Sequence, residues 1–232
     1  AATAAYRGAL DIQPGYVPAL LGLRRVAWRT GDHELYADTV KRHAAVTEGR
    51  QREVLLLHLG DVLERLCGDP GGAAQAYGKG IQAWEQTPSS GPRDLPPALF
   101  ERARLLGRAR EWTTLEAELK DFLSGTVTDE ARGQASDWLA ELNELHLGKI
   151  ADAVAYYRAA ARAAPENRRA HRALQALLRD RREHSELGVA ISEELRTAAA
   201  YRKLQLLGDR AEVETTLGNP KRVEEAWREA LD

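Results

Sequence analysis

A short pattern recurs along this chain at fixed distances and leaves few folds open to it: a small residue, then an aromatic four positions on, then another small residue three further. It stands at Ala2, Tyr6 and Ala9, at Ala73, Tyr77 and Gly80, and at Ala153, Tyr157 and Ala160. Val223, Trp227 and Ala230 repeat the spacing near the end. Positions i, i+4 and i+7 share one face of a helix. The small residues let a neighbouring helix come close, and the aromatic fills the space left between them. Tyr77 and Tyr157 are 80 residues apart, and Pro14 and Pro165 each follow their tyrosine by eight positions.

The stretch Leu139 to Pro165 shows the whole unit: a helix, a turn at Gly148, and a second helix that stops at the proline. Glycine suits the left-handed conformation in which helices commonly end, and Asp152 puts a negative charge into the first turn of the next helix, where it is favoured. The turns Leu66 to Pro70, Leu147 to Lys149 and Leu217 to Pro220 are one device used three times, with proline opening the next helix in two of them. Between these units lie hairpins without the aromatic signature. Residues 98 to 123 resemble residues 19 to 44 at an offset of 79, with Trp112 in the place of His33, and the pattern returns over residues 173 to 195 with His184 there. Two unlike hairpins therefore alternate with a joint period of about 75 to 80 residues. The reading is all-α, about 13 helices, stacked as antiparallel hairpins into one right-handed α-solenoid over residues 1 to 232. Residues 87 to 97, rich in Pro, Ser and Gly, read as a long inter-repeat loop.

The residues Ala2/Tyr6/Ala9/Pro14, Gly60/Ala73/Tyr77/Gly80, Ala140/Ala153/Tyr157/Ala160/Pro165 and Val223/Trp227/Ala230 resemble the tetratricopeptide repeat. The alternation of repeat types is similar to that of large bacterial arrays of this family. The Trp and Tyr that the family motif wants in the first helix are mostly replaced by Leu or polar residues. The resemblance implies recognition of a protein or peptide partner in a concave groove lined by the first helix of each hairpin. The family's Lys/Asn clamp for a C-terminal carboxylate has no counterpart, because the groove positions hold Arg, Asp and Glu.

Those positions are striped by charge. Arg25 and Arg29, then Arg104 and Arg108, then Arg169, Arg172 and Arg179 fall on the groove side of the plain hairpins. Asp61 and Glu64, then Asp137, Glu141 and Glu144, fall there on the signature hairpins. Two outcomes follow: a partner with spaced charges docks along the stripes, or the stripes neutralise one another through exposed ion pairs worth roughly 0 to 1 kcal/mol each. The formal net charge of -2 argues against a nucleic-acid partner, and the 27 Arg against 6 Lys read as codon bias.

No constellation supports catalysis, a cofactor or a metal. The six histidines make no ligand cluster, and His33 and His184 read as packing residues at a turn. Cys67 has no activating neighbour. The glycines Gly71, Gly72, Gly78 and Gly80 complete no phosphate loop. Glu193/Glu194 and Glu224/Glu225 point about 100° apart on a helix and read as surface charge. The five tryptophans read as packing residues, with Trp28 and Trp138 near the groove edge. A single cysteine suits a reducing, cytoplasmic setting and leaves the periplasm open, and no segment reads as membrane-spanning. The chain opens inside a helix, so it reads as a piece of something longer, and residues 1 to 12 would present an apolar face to upstream sequence or to a second copy. The functional expectation is a non-enzymatic scaffold or adaptor. The alternative is a sensor module that binds a peptide or small ligand for an effector domain elsewhere.

Overall fold

The structure is a computed structural model that describes residues 2 to 231, so Ala1 and Asp232 lie outside it. Among the described residues there are thirteen α-helices: α1 Ala2–Ile12, α2 Val17–Thr30, α3 His33–Ala45, α4 Gly49–Arg65, α5 Pro70–Gln86, α6 Pro97–Ala109, α7 Trp112–Ser124, α8 Asp129–Leu142, α9 Ile150–Ala163, α10 Arg168–Asp180, α11 His184–Leu195, α12 Ala200–Thr216 and α13 Pro220–Leu231. A π-helical turn over Asn143–Leu147 extends α8. The helices fall into two compact units, one holding α1 to α6 and the other α7 to α13 together with Pro92–Asp94.

Within each unit every helix packs chiefly on the next in sequence, which is the wiring of a hairpin stack. The turns expected at Gly68, Gly148 and Gly218 all have the left-handed backbone, with φ of 67°, 65° and 73°. His33, Trp112 and His184 each open the second helix of a plain hairpin, as their shared register suggests. In the first of those hairpins Gly31 makes the turn with φ 71°. In the other two it is an arginine, Arg110 or Arg182, that adopts a positive φ, of 59° and 56°.

The aromatic signature forms the core. Tyr77 is fully buried, and a Cβ built on Gly60 would lie 2.2 Å from its ring. Glycine is therefore required at position 60 for α4 and α5 to touch there. Tyr157 is 3% exposed against Ala140, Ala153 and Ala160. Trp227, in the same register of α13, is 53% exposed, and so is Trp28, at 60%. Packing was the expectation for Trp227, which its exposure corrects, whereas Trp28, expected to pack near the groove edge, keeps a ring contact with Tyr36 of α3.

Pro92–Asp94 belong to the second unit. The Arg93 amide donates to the Thr126 carbonyl at 3.1 Å and the Thr128 amide to the Arg93 carbonyl at 2.9 Å, a short parallel bridge. Helix α1 places Leu10 in a small core with Leu20 and Leu23 and leaves Ile12 89% exposed. No helix among the described residues is long and apolar enough to cross a membrane.

Candidate functional site

In the first unit the charged residues of α4 and α6 meet. Arg104 donates to both oxygens of Glu64, at 2.8 and 2.5 Å, and to Glu101 at 2.8 Å. Arg108 adds a contact to Glu64 at 3.3 Å. The bidentate geometry is the strong form of such a pair, and the Glu64 side chain is only 13% exposed. Its carboxyl is held below the ordinary range, chiefly by the hydrogen bond from Arg104. Asp61, one turn earlier, accepts from the Tyr77 hydroxyl at 3.0 Å, and burial followed by that bond pushes the phenol up.

The second unit uses the same parts in a different order. Arg169 on α10 donates to Asp137 at 3.0 Å and to Glu141 at 2.9 Å. Here Glu144, not the residue matching Asp61, accepts from the tyrosine hydroxyl, Tyr157, at 2.7 Å. Glu144 lies in the π-helical turn, where the wider winding changes which carboxylate faces the tyrosine. Arg179 reaches Asp209 of α12 at 3.6 Å.

Arg25 and Arg29 on α2 stand apart. Both are exposed, and among the described residues no hydrogen bond or ion pair holds either, and the same is true of Arg172 on α10. Beside Arg25 lies a groove of about 390 Å³ lined by Leu21, Arg24, Arg25, Trp28, Tyr36 and His58. Its aromatic wall is ordered: the Trp28 and Tyr36 ring centroids are 5.6 Å apart, Tyr36 meets His58 edge-on at 5.8 Å, and the Tyr36 hydroxyl lies 3.0 Å from His58 Nε2. Burial, then the nearby Arg24, hold the imidazole of His58 below its usual range in spite of Asp61. The groove is thus an aromatic surface beside arginine side chains with no carboxylate bound to them. Tyr36 and His58 were missed from the sequence, since neither shares the repeat register of Arg25 and Trp28.

One pair read as surface charge is half wrong. Glu193 is partly exposed, but Glu194 is 3% exposed and accepts from Gln175 at 2.6 Å and from Arg202 at 2.8 and 3.1 Å. Adjacent carboxylates do point apart, and Glu194 stands seven and three positions after Leu187 and Ile191 on the buried face of α11, which turns it inward to the arginine. Glu116, also buried, takes Lys120 at 2.7 Å and Lys149 at 2.7 Å.

Three carboxyls therefore sit below their ordinary value of 4.5: Glu64 through Arg104, Glu116 against the opposing effect of burial through Lys120 and Lys149, and Glu194 against burial through Arg202 and Gln175. A lowered folded value means stability that is present above the unfolded pKa and is lost as pH falls through the folded one. Thermal melts should accordingly hold steady from these groups down to about pH 4.5 and fall steeply below it. A melting temperature that declines no faster below that pH than above it would show that the pairs contribute nothing.

Among the described residues no group of three or more His, Cys, Asp or Glu could hold a metal ion. The geometry defines a class, the helical-hairpin repeat solenoid of tetratricopeptide type. The chain is similar in structure to the C-terminal part of a tetratricopeptide repeat-containing protein from Cytophaga hutchinsonii, with a TM-score of 0.50, 8% identity, and coverage of 99% of this chain and 88% of that one. It is also similar to a tetratricopeptide repeat protein from Parabacteroides merdae, with a TM-score of 0.49, 16% identity, and coverage of 93% and 78%. Neither a model of a known protein family nor a curated protein sequence matches it.

Proposed function

We propose that the chain is a non-enzymatic protein-interaction module, and that the α2 face takes an acidic peptide segment anchored by one apolar side chain. The observation that carries this is the contrast among the arginines. Arg104 and Arg169 are consumed by carboxylates of their own chain, while Arg25 and Arg29 are unpaired beside the exposed Trp28. Aromatic and arginine side chains dominate binding hot spots, and unpaired surface charge steers an oppositely charged partner. In this reading the paired charges of α4, α6, α8 and α10 are internal cement, and the unpaired arginines that stand beside an exposed aromatic, on α2, are the docking surface, Arg172 of α10 being unpaired as well.

The test is a fluorescence anisotropy titration with a labelled synthetic peptide rich in Glu and Asp around a central Phe, at low and moderate salt. Arg25→Glu with Arg29→Glu should weaken binding by about 10- to 100-fold, and binding to the unaltered protein should fall with salt. Binding that survives both the charge reversal and the salt would remove α2 as the site.

A further inference from the structure

The groove on α2 contains a hydrogen bond whose direction is set by a single proton. The Tyr36 hydroxyl, on α3, lies 3.0 Å from Nε2 of His58, on α4, and both side chains line the groove together with Arg24 and Arg25. A neutral imidazole with its hydrogen on Nδ1 accepts at Nε2, so the hydroxyl gives its hydrogen to the ring and turns only lone pairs to a ligand. An imidazolium has no acceptor. Its Nε2–H must donate, the hydroxyl oxygen accepts, and the hydroxyl hydrogen is released. Protonation of His58 therefore turns Tyr36 into a donor toward the groove, which is what a carboxylate needs.

The charges around the ring favour its neutral form. From α2 it faces Arg24 and Arg25, and among the described residues no carboxylate is bound to either. From α3 it faces Tyr36. On α4 itself Asp61 stands one turn on and favours the charged ring, but that carboxylate already accepts from Tyr77 of α5, and Glu64, a further turn along, is bound by Arg104 of α6. Burial and Arg24 outweigh Asp61, so His58 titrates below its ordinary 6.5. Arg24 bears in the same way on His43, which follows Tyr36 by seven positions on one face of α3. His43 lies outside the groove lining, and its Nδ1 is enclosed without a hydrogen-bond partner.

A carboxylate seated against Arg24 reverses that balance. It offsets the guanidinium charge and adds a negative charge beside the ring, so the imidazolium becomes the favoured form. The imidazolium in turn offers the carboxylate a second cation and the freed Tyr36 O–H. Binding and protonation then strengthen each other by the same factor, since linkage is reciprocal.

We propose that Tyr36 and His58, with Arg24, form a proton-coupled carboxylate subsite of the groove, so that the acidic partner binds with uptake of one proton on His58 and more tightly as pH falls. The subsite rests on the reading of α2 as the docking surface and makes that surface acid-sensitive. The sign follows from the two states of the ring. Its value rises on binding, so affinity is greatest below the free value, falls as pH climbs from the free to the bound value, and is flat above the bound one.

The test titrates the acidic peptide with its central Phe by fluorescence anisotropy at about pH 5.5 and about pH 8, where its carboxylates, with ordinary values of about 4, stay largely ionised. The unaltered protein should bind about tenfold more tightly at the lower pH, which corresponds to a rise of about one unit in the His58 value on binding. His58→Gln can still hydrogen-bond Tyr36 but has no proton to gain, so it should bind equally at both. Tyr36→Phe should lose most of the gain at the lower pH and keep its affinity at the higher one within about twofold. The ring is also followed directly in the unaltered protein, through the proton resonance of His58 with and without saturating peptide, and its midpoint should move up by about one unit. An affinity that ignores pH yet is lost in Arg25→Glu with Arg29→Glu would overturn the subsite and leave α2 as the docking surface. So would a gain that persists in His58→Gln, which would place the proton elsewhere, on His43 for instance. Affinity indifferent to Arg25→Glu with Arg29→Glu, or no binding at either pH, would remove the docking surface and the subsite together.

Discussion

Tyr77→Ala should cost the first unit about 3 to 5 kcal/mol of stability, toward the upper end. The ring is fully buried between Ala73, Ala98 and Leu105, and its closest support is Gly60, which has no side chain to move into the space vacated. A cavity that cannot collapse gives the larger penalty. The hydroxyl is a minor part of this. Asp61 is partly exposed and can turn to water, so Tyr77→Phe should cost only about 0.5 to 1.5 kcal/mol. Urea unfolding followed by circular dichroism measures both, and the two units are best compared by placing Tyr157→Ala beside Tyr77→Ala, since each should shift the transition of its own unit. A loss under about 1 kcal/mol for Tyr77→Ala would mean that the aromatic is not what holds α4 to α5.

Glu194→Ala should have an effect of similar size in the second unit, about 3 to 5 kcal/mol. The carboxylate at the end of α11 binds Gln175 of α10 and Arg202 of α12 together, and it thereby fastens one hairpin to the next. Gln175 is 3% exposed and the Arg202 side chain 18%. Removing the acid leaves a buried amide donor and a mostly buried guanidinium without partners, which is far worse than never having buried them. The double variant Glu194→Leu with Arg202→Met should regain a large share of the loss, because an apolar pair of similar volume needs no desolvated charge to be satisfied. A double variant as unstable as Glu194→Ala would show that shape, rather than the stranded charge, sets the cost.

These residues also mark where the sequence was legible. The hairpins could be read because each needs a repeated local signal: small and aromatic residues on one helical face, and a glycine at Gly68, Gly148 and Gly218 where the chain must turn left-handed. Where the signal was replaced, the fold persisted without it. Arg110 and Arg182 take the same left-handed backbone with a side chain that gains nothing from it, and the hairpin packing around them supplies the difference. The charge stripes were legible as a pattern, but their fate was not. Whether an arginine meets a carboxylate depends on which helix is stacked opposite and at what height, and the wider winding of the π-helical turn at 143 to 147 gives the tyrosine bond to Glu144, whereas Glu64, in the same register, takes Arg104. Glu194 was misread although it follows Leu187 and Ile191 by seven and three positions on the buried face of α11, a register that Glu193 does not share. Trp28 could be singled out from the sequence, whereas the Tyr36 and His58 that line the same opening come from two other helices.

The contrast between occupied and unoccupied arginines is tested most directly by one paired measurement, peptide affinity and melting temperature on two charge-reversal variants. Arg25→Glu with Arg29→Glu should lose the acidic peptide and keep the melting temperature of the unaltered protein. Arg104→Glu with Arg108→Glu should keep the peptide within about threefold and melt earlier, because it sets two new carboxylates against Glu64 and Glu101. The reverse outcome, with affinity lost at α6 and stability lost at α2, would contradict the assignment of α2 as the binding surface.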